Sequence, residues 1–263
     1  MIYKLDYILN DIHNHLISKK PFSLVRFGDG CIKWYAEASR GKMSRSLLKK
    51  AAAQGNIPSK EILKFHERWI EPARESNYID SFEPYFSDNF WDRKFSDSTK
   101  KRVQLFEKWY EEMGLHSNYC NPEIPHLMFL NRKRNLFDIM KDYRICLITA
   151  FKKAKRKLSA EFDVGHIIIP GRGGDLFHKT EKIKNVIIES SSNYDLYLVG
   201  AGAYSFELVH TARKCGKVAL SIGQVFDSWA LNRNPERIKG WIEMRGDLRF
   251  ELTKKAKRFS KHL

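Results

Sequence analysis

A strand, a glycine turn, a helix and a second strand follow one another in the last third of the chain, and this order constrains the fold more than any other feature. The apolar run at residues 195–199 leads directly into Gly200-Ala201-Gly202. Apolar residues then recur at near-helical spacing, and a second apolar run follows at residues 218–222. This order predicts a βαβ unit with parallel strands, whose turn and helix N-terminus direct free N–H groups towards an anion. A phosphorylated ligand is therefore the first kind to consider.

Two departures separate this unit from the common dinucleotide-binding motif. Ser205 stands where the third glycine of the fingerprint would be. The second strand ends in Ser221-Ile222-Gly223 and not in the acidic residue that would hold a ribose hydroxyl. The unit therefore predicts an α/β fold without predicting an NAD-dependent enzyme.

Regular alternation of strands and helices begins after Tyr143. Strands are predicted at residues 144–149 and 164–169, with a helix at residues 151–160 between them, and a second glycine-rich turn occupies residues 171–175. We therefore expect the α/β class: a Rossmann-like, mostly parallel sheet with flanking helices, whose turns all fall on one edge.

The middle third of the chain has a different pattern. Residues 43–141 are rich in helical signals, and their aromatic side chains repeat at helix spacing, which is typical of a packed core. We expect a helical insertion here. The chain shows no repeat or long linker, so it is interpreted as one domain over residues 1–263, ending in a charged helix or tail at residues 241–263.

A carboxylate between two glycines follows the first predicted strand. The run at residues 22–27 leads straight into Gly28-Asp29-Gly30. The glycines leave Asp29 uncrowded at a strand end, which is where α/β proteins bind ligands, although a plain Asp-Gly turn would read the same way. Arg26 favours the ligand interpretation, because an arginine in a buried strand needs an anionic partner.

Several classes of protein are excluded by composition. No apolar run approaches the length of about 18 residues that a membrane span needs, and the N-terminus lacks the pattern of a signal peptide. The four cysteines are far apart, which indicates free thiols in a cytoplasmic protein and indicates neither zinc nor disulfides.

The net charge of +16 requires an explanation. It suits nucleic acid, an anionic membrane surface or a phosphorylated substrate as a partner. Basic residues concentrate at residues 152–157 and 254–261, where a solvated helix face and a solvated tail are the simple alternatives. The basic tail indicates that the protein makes reversible contact with the inner face of an anionic membrane.

Three stretches together resemble the GT-D glycosyltransferases of bacterial surface-polysaccharide and glycoprotein pathways. They are FSLVRFGDG, YDLYLVGAGA and GKVALSIGQVFDSW, in this order, whereas residues 43–141 carry no matching motif. The resemblance implies a nucleotide-sugar donor, usually a UDP-sugar. It also implies transfer of a hexosyl group to a hydroxyl of a glycan, glycoprotein or lipid-linked acceptor.

The resemblance also implies a set of site residues. Asp29 would lie in the donor diphosphate site. In an inverting reaction Asp227 or, alternatively, Asp175 would take the proton of the acceptor hydroxyl, although Asp227 could instead contact the ribose. His178 is interpreted as structural. The residues expected to bind the nucleotide-sugar are Arg26, Phe27, Gly28, Gly30, Arg172, Gly200, Gly202, Ala203 and Tyr204.

Metal dependence is left open by one departure from the family. The family's Asp-x-Glu motif holds a divalent cation, whereas the matching residues here are Asp29-Gly30-Cys31, which lack the glutamate. Asp29 alone would hold Mn²⁺ or Mg²⁺ with waters and phosphate oxygens. Alternatively, Arg26 and Arg172 would neutralise the diphosphate without a metal, or the domain would bind a donor without catalysing transfer.

Two other functions compete with glycosyl transfer. The string VGAGAYSFE resembles the cofactor turn of an S-adenosylmethionine-dependent methyltransferase, but that turn normally follows the first strand of the domain, and here it follows several. A nucleic-acid-binding protein is supported by charge alone, since no helix-turn-helix, zinc-finger or aromatic RNA-binding pattern accompanies it. Nucleic acid is therefore not the expected partner.

Overall fold

A parallel sheet forms the middle layer of the protein. The computed structural model describes residues 2–3, 5–27, 29–41, 59–80, 97–115, 118–120, 124–130, 135–171, 175–223 and 225–226. Within them the strands are β1 (Ile2–Tyr3), β2 (Phe22–Val25), β3 (Tyr78–Asp80), β4 (Asn118–Cys120), β5 (Ile145–Thr149), β6 (Val164–Ile168), β7 (Leu196–Gly200) and β8 (Val218–Ser221). They form one eight-stranded sheet in the order β1-β4-β3-β2-β8-β7-β5-β6, and each pairing is parallel.

Helices cover both faces of this sheet. On one face lie α1 (Leu5–Ile17), α6 (Ile124–Leu130), α7 (Leu136–Met140) and α8 (Lys152–Leu158). On the other lie α2 (Asp29–Ala38), α4 (Ile70–Glu75), α5 (Asp97–Glu112), α9 (Leu176–Glu189) and α10 (Ser205–Lys214). A short helix α3 (Ser59–Lys64) and a 3-10 turn (Phe65–Trp69) lead into α4. The result is a three-layer α/β architecture.

Burial on both faces explains why the central strands are apolar throughout. All five residues of β5 are buried. Ile145 and Leu147 pack into the core on the α1 side, while Cys146 and Ile148 pack into the core on the α10 side, because successive strand residues point to opposite faces. The predicted Rossmann-like, mostly parallel sheet with flanking helices is therefore confirmed.

The order of the strands creates a crevice at the carboxyl edge of the sheet. The chain leaves β5 towards β6 on one side and leaves β7 towards β8 on the other. In open α/β sheets, neighbouring strands whose exits diverge in this way leave a crevice in which ligands bind. Gly200, the last residue of β7, lies at this crevice opposite Thr149 of β5.

The middle third contributes more than helices. It is mainly helical in its described parts, as expected, but it also supplies β3 and β4, which pair into the same sheet beside β2. Each of these strands is only three residues long, too short to show a period of two in the sequence.

Some regions for which the sequence makes predictions lie outside the described residues. These are residues 42–58, 81–96, 172–174 and 227–263, which include Arg172, Asp227 and the basic tail. Among the described helices, none combines the length and the hydropathy required to cross a bilayer.

Candidate functional site

The segment that follows β2 meets the carboxyl edge of the sheet between β3 and β8. β2 pairs with both of these strands, and the chain then passes through Arg26 and Phe27 to Asp29, the first residue of α2. Gly28 lies outside the described residues, and Gly30 is the second residue of the helix. The sequence thus places Asp29 at a helix N-terminus, where backbone N–H groups without intrahelical partners favour an anion.

Phe27 anchors this segment in the core. Its side chain is fully buried, and its ring lies 4.3 Å from that of Phe206 and 5.1 Å from those of Phe106 and Tyr110. Phe27 was predicted to contact the donor, and its ring is buried among aromatic side chains of the core. Because the side chain of Phe27 is fully buried, a ligand at this edge could contact this residue only through its backbone.

Asp80, which was not predicted from the sequence, supports the candidate site from β3. It ends β3, is fully buried, and accepts a hydrogen bond from the Phe27 N–H through Oδ1. Its Oδ2 has no hydrogen-bond partner among the described residues, while Tyr110 Oη donates to its carbonyl oxygen over 3.1 Å. Burial raises the pKa of Asp80 to about 8, against the opposing effects of the Arg26 guanidinium and the Phe27 N–H. A protonated carboxyl therefore supports the Arg26 segment at neutral pH.

Arg26 lies between Asp80 and the loop that leaves β8. Its guanidinium acts electrostatically on Asp80. A Cβ placed on Gly223 would come within 3.3 Å of Arg26 Nη1, and Gly223 has a φ of +47°, in the left-handed region. The half-buried arginine thus lies at the strand-end edge, and its role in binding a ligand stays a prediction.

The glycine turn after β7 is fixed by close packing. A Cβ at Gly200 would lie 2.3 Å from Cδ2 of Phe226, so this position accepts only glycine. Gly202, at φ +59°, is exposed and has open space around it. The Ala201 N–H donates to Ser205 Oγ over 2.9 Å. Ser205, which stands in place of the third glycine of the dinucleotide fingerprint, therefore accepts the hydrogen bond of the Ala201 N–H, and this N–H is not available to an anion.

The residues after Gly202 support the turn from the core side. Trp69 Nε1 donates to the Ala203 carbonyl over 3.1 Å. The Tyr204 ring is fully buried, with its centroid 4.9 Å from that of Phe65. The expected donor contacts of Ala203 and Tyr204 thus cannot come from exposed side chains, because both residues are buried.

Of the two candidates for the catalytic base, Asp175 lies within the described residues and Asp227 does not. Asp175 caps α9, where its Oδ1 accepts from the His178 N–H over 3.2 Å, so it has a structural role. Asp227 lies outside the described residues. Phe226, immediately before it, is buried and packs against Gly200 at the carboxyl edge.

The described donor groups at this edge do not make a two-carboxylate metal site. Cys31, at the position of the family's glutamate, is buried in the core with Val25 and Phe27. Burial raises the pKa of Asp80, so its carboxyl is largely protonated at neutral pH, and it faces the positive charge of Arg26. Since Mn²⁺ and Mg²⁺ prefer ionised oxygen ligands, this donor set does not replace the missing glutamate.

A group that could hold a metal ion occurs elsewhere, between α4 and α10. Glu71, Glu75 and His210 each offer one ligand atom, and these atoms lie within 4.8 Å of one another. The sequence analysis did not identify these residues, because the glutamates and the histidine are far apart along the chain.

Comparisons with known proteins agree with the fold. Residues 87–229, more than half of the chain, match the family model described as a GT-D fold-like domain. No match was found among curated proteins. A solved structure titled as a new glycosyltransferase (DUF1792) from Streptococcus sanguinis is similar at a TM-score of 0.51 and 17% identity, covering 85% of this chain and 83% of that chain.

A second solved structure is similar to this chain in fold. It is titled as the highly conserved domain of unknown function 1792 with a distinct glycosyltransferase fold, and it is similar at a TM-score of 0.51 and 15% identity, covering 85% of this chain and 80% of that chain. At such low identity the two structures show the fold alone, and the family match adds support for glycosyltransferase activity. The chain, by the match over residues 87–229, belongs to the family of GT-D fold-like domains.

Proposed function

We propose that this protein is a single-domain glycosyltransferase that moves a hexosyl group from a nucleotide-sugar, a UDP-sugar in the first instance, to an acceptor hydroxyl. The acceptor is a glycan, a glycoprotein or a lipid-linked saccharide in the assembly of a bacterial surface polysaccharide or glycoprotein. The observation that carries the proposal is the family match, supported by the meeting of the Arg26 segment and the Gly200 turn at the carboxyl edge of one parallel sheet.

The donor diphosphate is assigned to the N-terminus of α2. Asp29 and Gly30 begin this helix, and its free N–H groups favour a bound anion. Arg26 adds a positive charge on one side, and Arg172, which follows β6 in the sequence, is proposed to add another. Preorganised cations and N–H groups stabilise the charge that develops on a leaving nucleoside diphosphate.

The reaction exchanges one bond at the anomeric carbon of the donor sugar. The acceptor oxygen forms a bond to that carbon, and the bond from the carbon to the β-phosphate oxygen breaks with its electron pair, which releases the nucleoside diphosphate. The acceptor hydroxyl gives its proton to a carboxylate. We assign this role to Asp227 and not to Asp175, because the latter already caps α9.

Of the alternatives left open by the sequence, we favour neutralisation of the diphosphate by Arg26 and Arg172, and we propose that the Asp29 carboxylate accepts a hydrogen bond from a hydroxyl of the donor sugar. The reason is the donor set described above, in which Cys31 is buried in the core and Asp80 faces Arg26. If Mn²⁺ or Mg²⁺ binds with the donor, Asp29 is its ligand from this chain, and it supplies additional positive charge to the diphosphate.

Thermal unfolding in the presence of UDP-, GDP-, TDP- and CMP-sugars, with and without Mn²⁺, tests the proposal. One of these donors is expected to raise Tm in a saturable way, since a ligand that binds only the native state stabilises it. Most of that shift is expected to persist in EDTA. Absence of a Tm shift with all four classes, with or without the metal, would contradict the proposed function.

Peripheral contact with the inner face of an anionic membrane is part of the proposal. Five of the seven residues of α8 are Lys or Arg. Burial and the neighbouring charges of Lys153 and Arg156 lower the pKa of Lys157, which is a sign of crowded positive charge. Each basic residue near an anionic bilayer contributes about 1 kcal/mol of binding free energy. Together with the basic tail, this helix favours a cytoplasmic protein that docks reversibly.

Sedimentation with anionic vesicles separates the two basic segments. Truncation after Thr253 is expected to release most of the bound protein at moderate salt while sparing transfer to a soluble acceptor. Replacement of Lys152, Lys155 and Arg156 by Gln should release the remainder. If both variants sediment with the vesicles as the wild type does, neither segment is the membrane contact.

A further inference from the structure

A histidine and two glutamates meet where α4 packs against α10. Glu71 and Glu75 are four residues apart on α4, and residues at this spacing lie on the same face of a helix. His210, on α10, faces both: its Nε2 lies 3.4 Å from Glu71 Oε1, and its Nδ1 lies 3.9 Å from Glu75 Oε2. The ligand atoms of the three residues are close enough to share one ion.

The burial of His210 is what separates this group from an ordinary surface ion-pair network. The residue is only 9% exposed, and neither ring nitrogen makes a well-aligned hydrogen bond with the described residues, since the contact of Nε2 with Glu71 is long, at 3.4 Å. A buried polar group without a partner is costly, so such a group indicates a ligand.

Two cations compete for the carboxylates but not for the imidazole. Lys214 Nζ lies 2.6 Å from Glu71 Oε1, and Arg213 Nη1 lies 3.4 Å from Glu75 Oε2. The Lys214 side chain is half exposed, and exposed ion pairs of this kind contribute little to stability. A divalent ion that binds the carboxylates and the imidazole together can therefore displace the lysine.

We propose that Glu71, Glu75 and His210 form a site for a divalent transition metal, with Zn²⁺ as the preferred ion. One imidazole and two carboxylates are ligands that Zn²⁺ accepts in tetrahedral geometry, and the exposed side of the site leaves a fourth position for water. Mg²⁺ and Ca²⁺ prefer all-oxygen sites and are not expected to bind well here.

Such an ion would join two segments that are distant in the sequence. α4 leads into β3, which ends at Asp80, while α10 follows the Gly200 turn. The 3-10 turn before α4 already contacts the residues before α10 through the bond from Trp69 Nε1 to the Ala203 carbonyl. A metal between the helices would replace the ion pair of Lys214 with Glu71 by a stronger link, separate from the proposed donor site and independent of the proposed function.

Calorimetric titration of the full-length, EDTA-treated protein with Zn²⁺ tests the site. We expect saturable binding of one ion, a rise in Tm, and no comparable effect of Mg²⁺. Even groups that only orient metal ligands contribute about 10–100-fold to affinity. Loss of a ligand in Glu75→Gln, an exposed position, or in His210→Gln should therefore weaken binding by about tenfold or more. His178→Ala, at an exposed histidine on α9, is the matched control and should bind as the wild type does.

Lys214→Met distinguishes a metal site from a simple ion-pair network. Removal of the competing ammonium should tighten Zn²⁺ binding, whereas a network without a metal function would only lose an ion pair. Two outcomes would overturn the proposal: no saturable Zn²⁺ binding, or equal affinity in the wild type, Glu75→Gln and His210→Gln. Because Glu75→Gln should leave the Tm shift with the nucleotide-sugar intact, failure here is distinguishable from failure of the proposed function.

Discussion

The turns after β2 and β7 lie at the same edge of the sheet but are held in different ways. The turn after β7 is shaped by packing and neutral hydrogen bonds: Gly200 against Phe226, and the Ala201 N–H on Ser205. The segment after β2 is held by a buried carboxyl, because Asp80 accepts from the Phe27 N–H beside the Arg26 charge. The stability of the turn after β7 should therefore depend on side-chain volume and not on pH. The stability of the segment after β2 should depend on pH and less on side-chain volume.

Gly200→Ala should produce the largest loss of stability. The new Cβ would lie 2.3 Å from Phe226 Cδ2, so ring or backbone must shift, and overpacking of this kind costs about 1–3 kcal/mol or more. Gly202→Ala is the matched control, since its Cβ meets open space and only the positive φ is unfavourable, at about 1–2 kcal/mol. Urea unfolding measures both. An equal or smaller loss at position 200 would show that Phe226 does not restrict this turn.

Asp80→Asn should change how stability depends on pH. The folded pKa is raised to about 8 from 3.8, so between these values the folded protein holds a proton that the unfolded chain releases. Stability from this group is therefore greatest at low pH and falls as pH rises towards 8, with a slope of up to about 1.4 kcal/mol per pH unit. The amide keeps the acceptor for the Phe27 N–H and removes the ionisation.

The measurement is the difference in unfolding free energy between Asp80→Asn and the wild type at several pH values. This difference should shift in favour of the variant from about pH 5 to about pH 8. Glu161→Gln, at an exposed carboxylate, serves as the control and should give a nearly constant difference. A constant difference for Asp80→Asn as well would contradict the buried, protonated carboxyl.

Ser205→Ala should give a smaller effect that does not depend on pH. The substitution leaves the buried Ala201 N–H without its acceptor, and an unsatisfied buried donor costs about 1–3 kcal/mol. Unfolding at pH 6 and at pH 8 should show the same loss. A loss that varied strongly between the two would mean that ionisable groups control this turn too.

The strands around the crevice were predictable because each is buried on both faces. Such strands are continuous apolar runs, so the predicted strand at residues 144–149 agrees with the observed Ile145–Thr149 to within one residue. β3 and β4 were not predicted, since three residues between helical segments carry no periodic signal. Asp80 was missed for the same reason: its importance comes from the pairing of β3 with β2.

The site itself was predictable only in part. A strand followed by Gly28-Asp29-Gly30 indicated a ligand edge, and Asp29 does begin a helix there. The pattern could not show that Phe27 and Tyr204 point into aromatic packing, because burial depends on α5 and the 3-10 turn, which are distant in the sequence. The Glu71, Glu75 and His210 group likewise depends on the contact between α4 and α10. The roles of Arg172 and Asp227 stay predictions.

The central claim is that glycosyl transfer takes place at the N-terminus of α2, with Asp29 in the donor diphosphate site. Release of nucleoside diphosphate from the donor identified by thermal unfolding tests it, with the wild type, Asp29→Asn and Asp6→Asn compared. Asp6 is an exposed residue of α1 and serves as the control for loss of one carboxylate. A hydrogen bond to a charged group contributes about 1.5–3 kcal/mol, so the account predicts a loss of about 100-fold for Asp29→Asn, at unchanged Tm, and none for Asp6→Asn. Unchanged turnover in Asp29→Asn would contradict it.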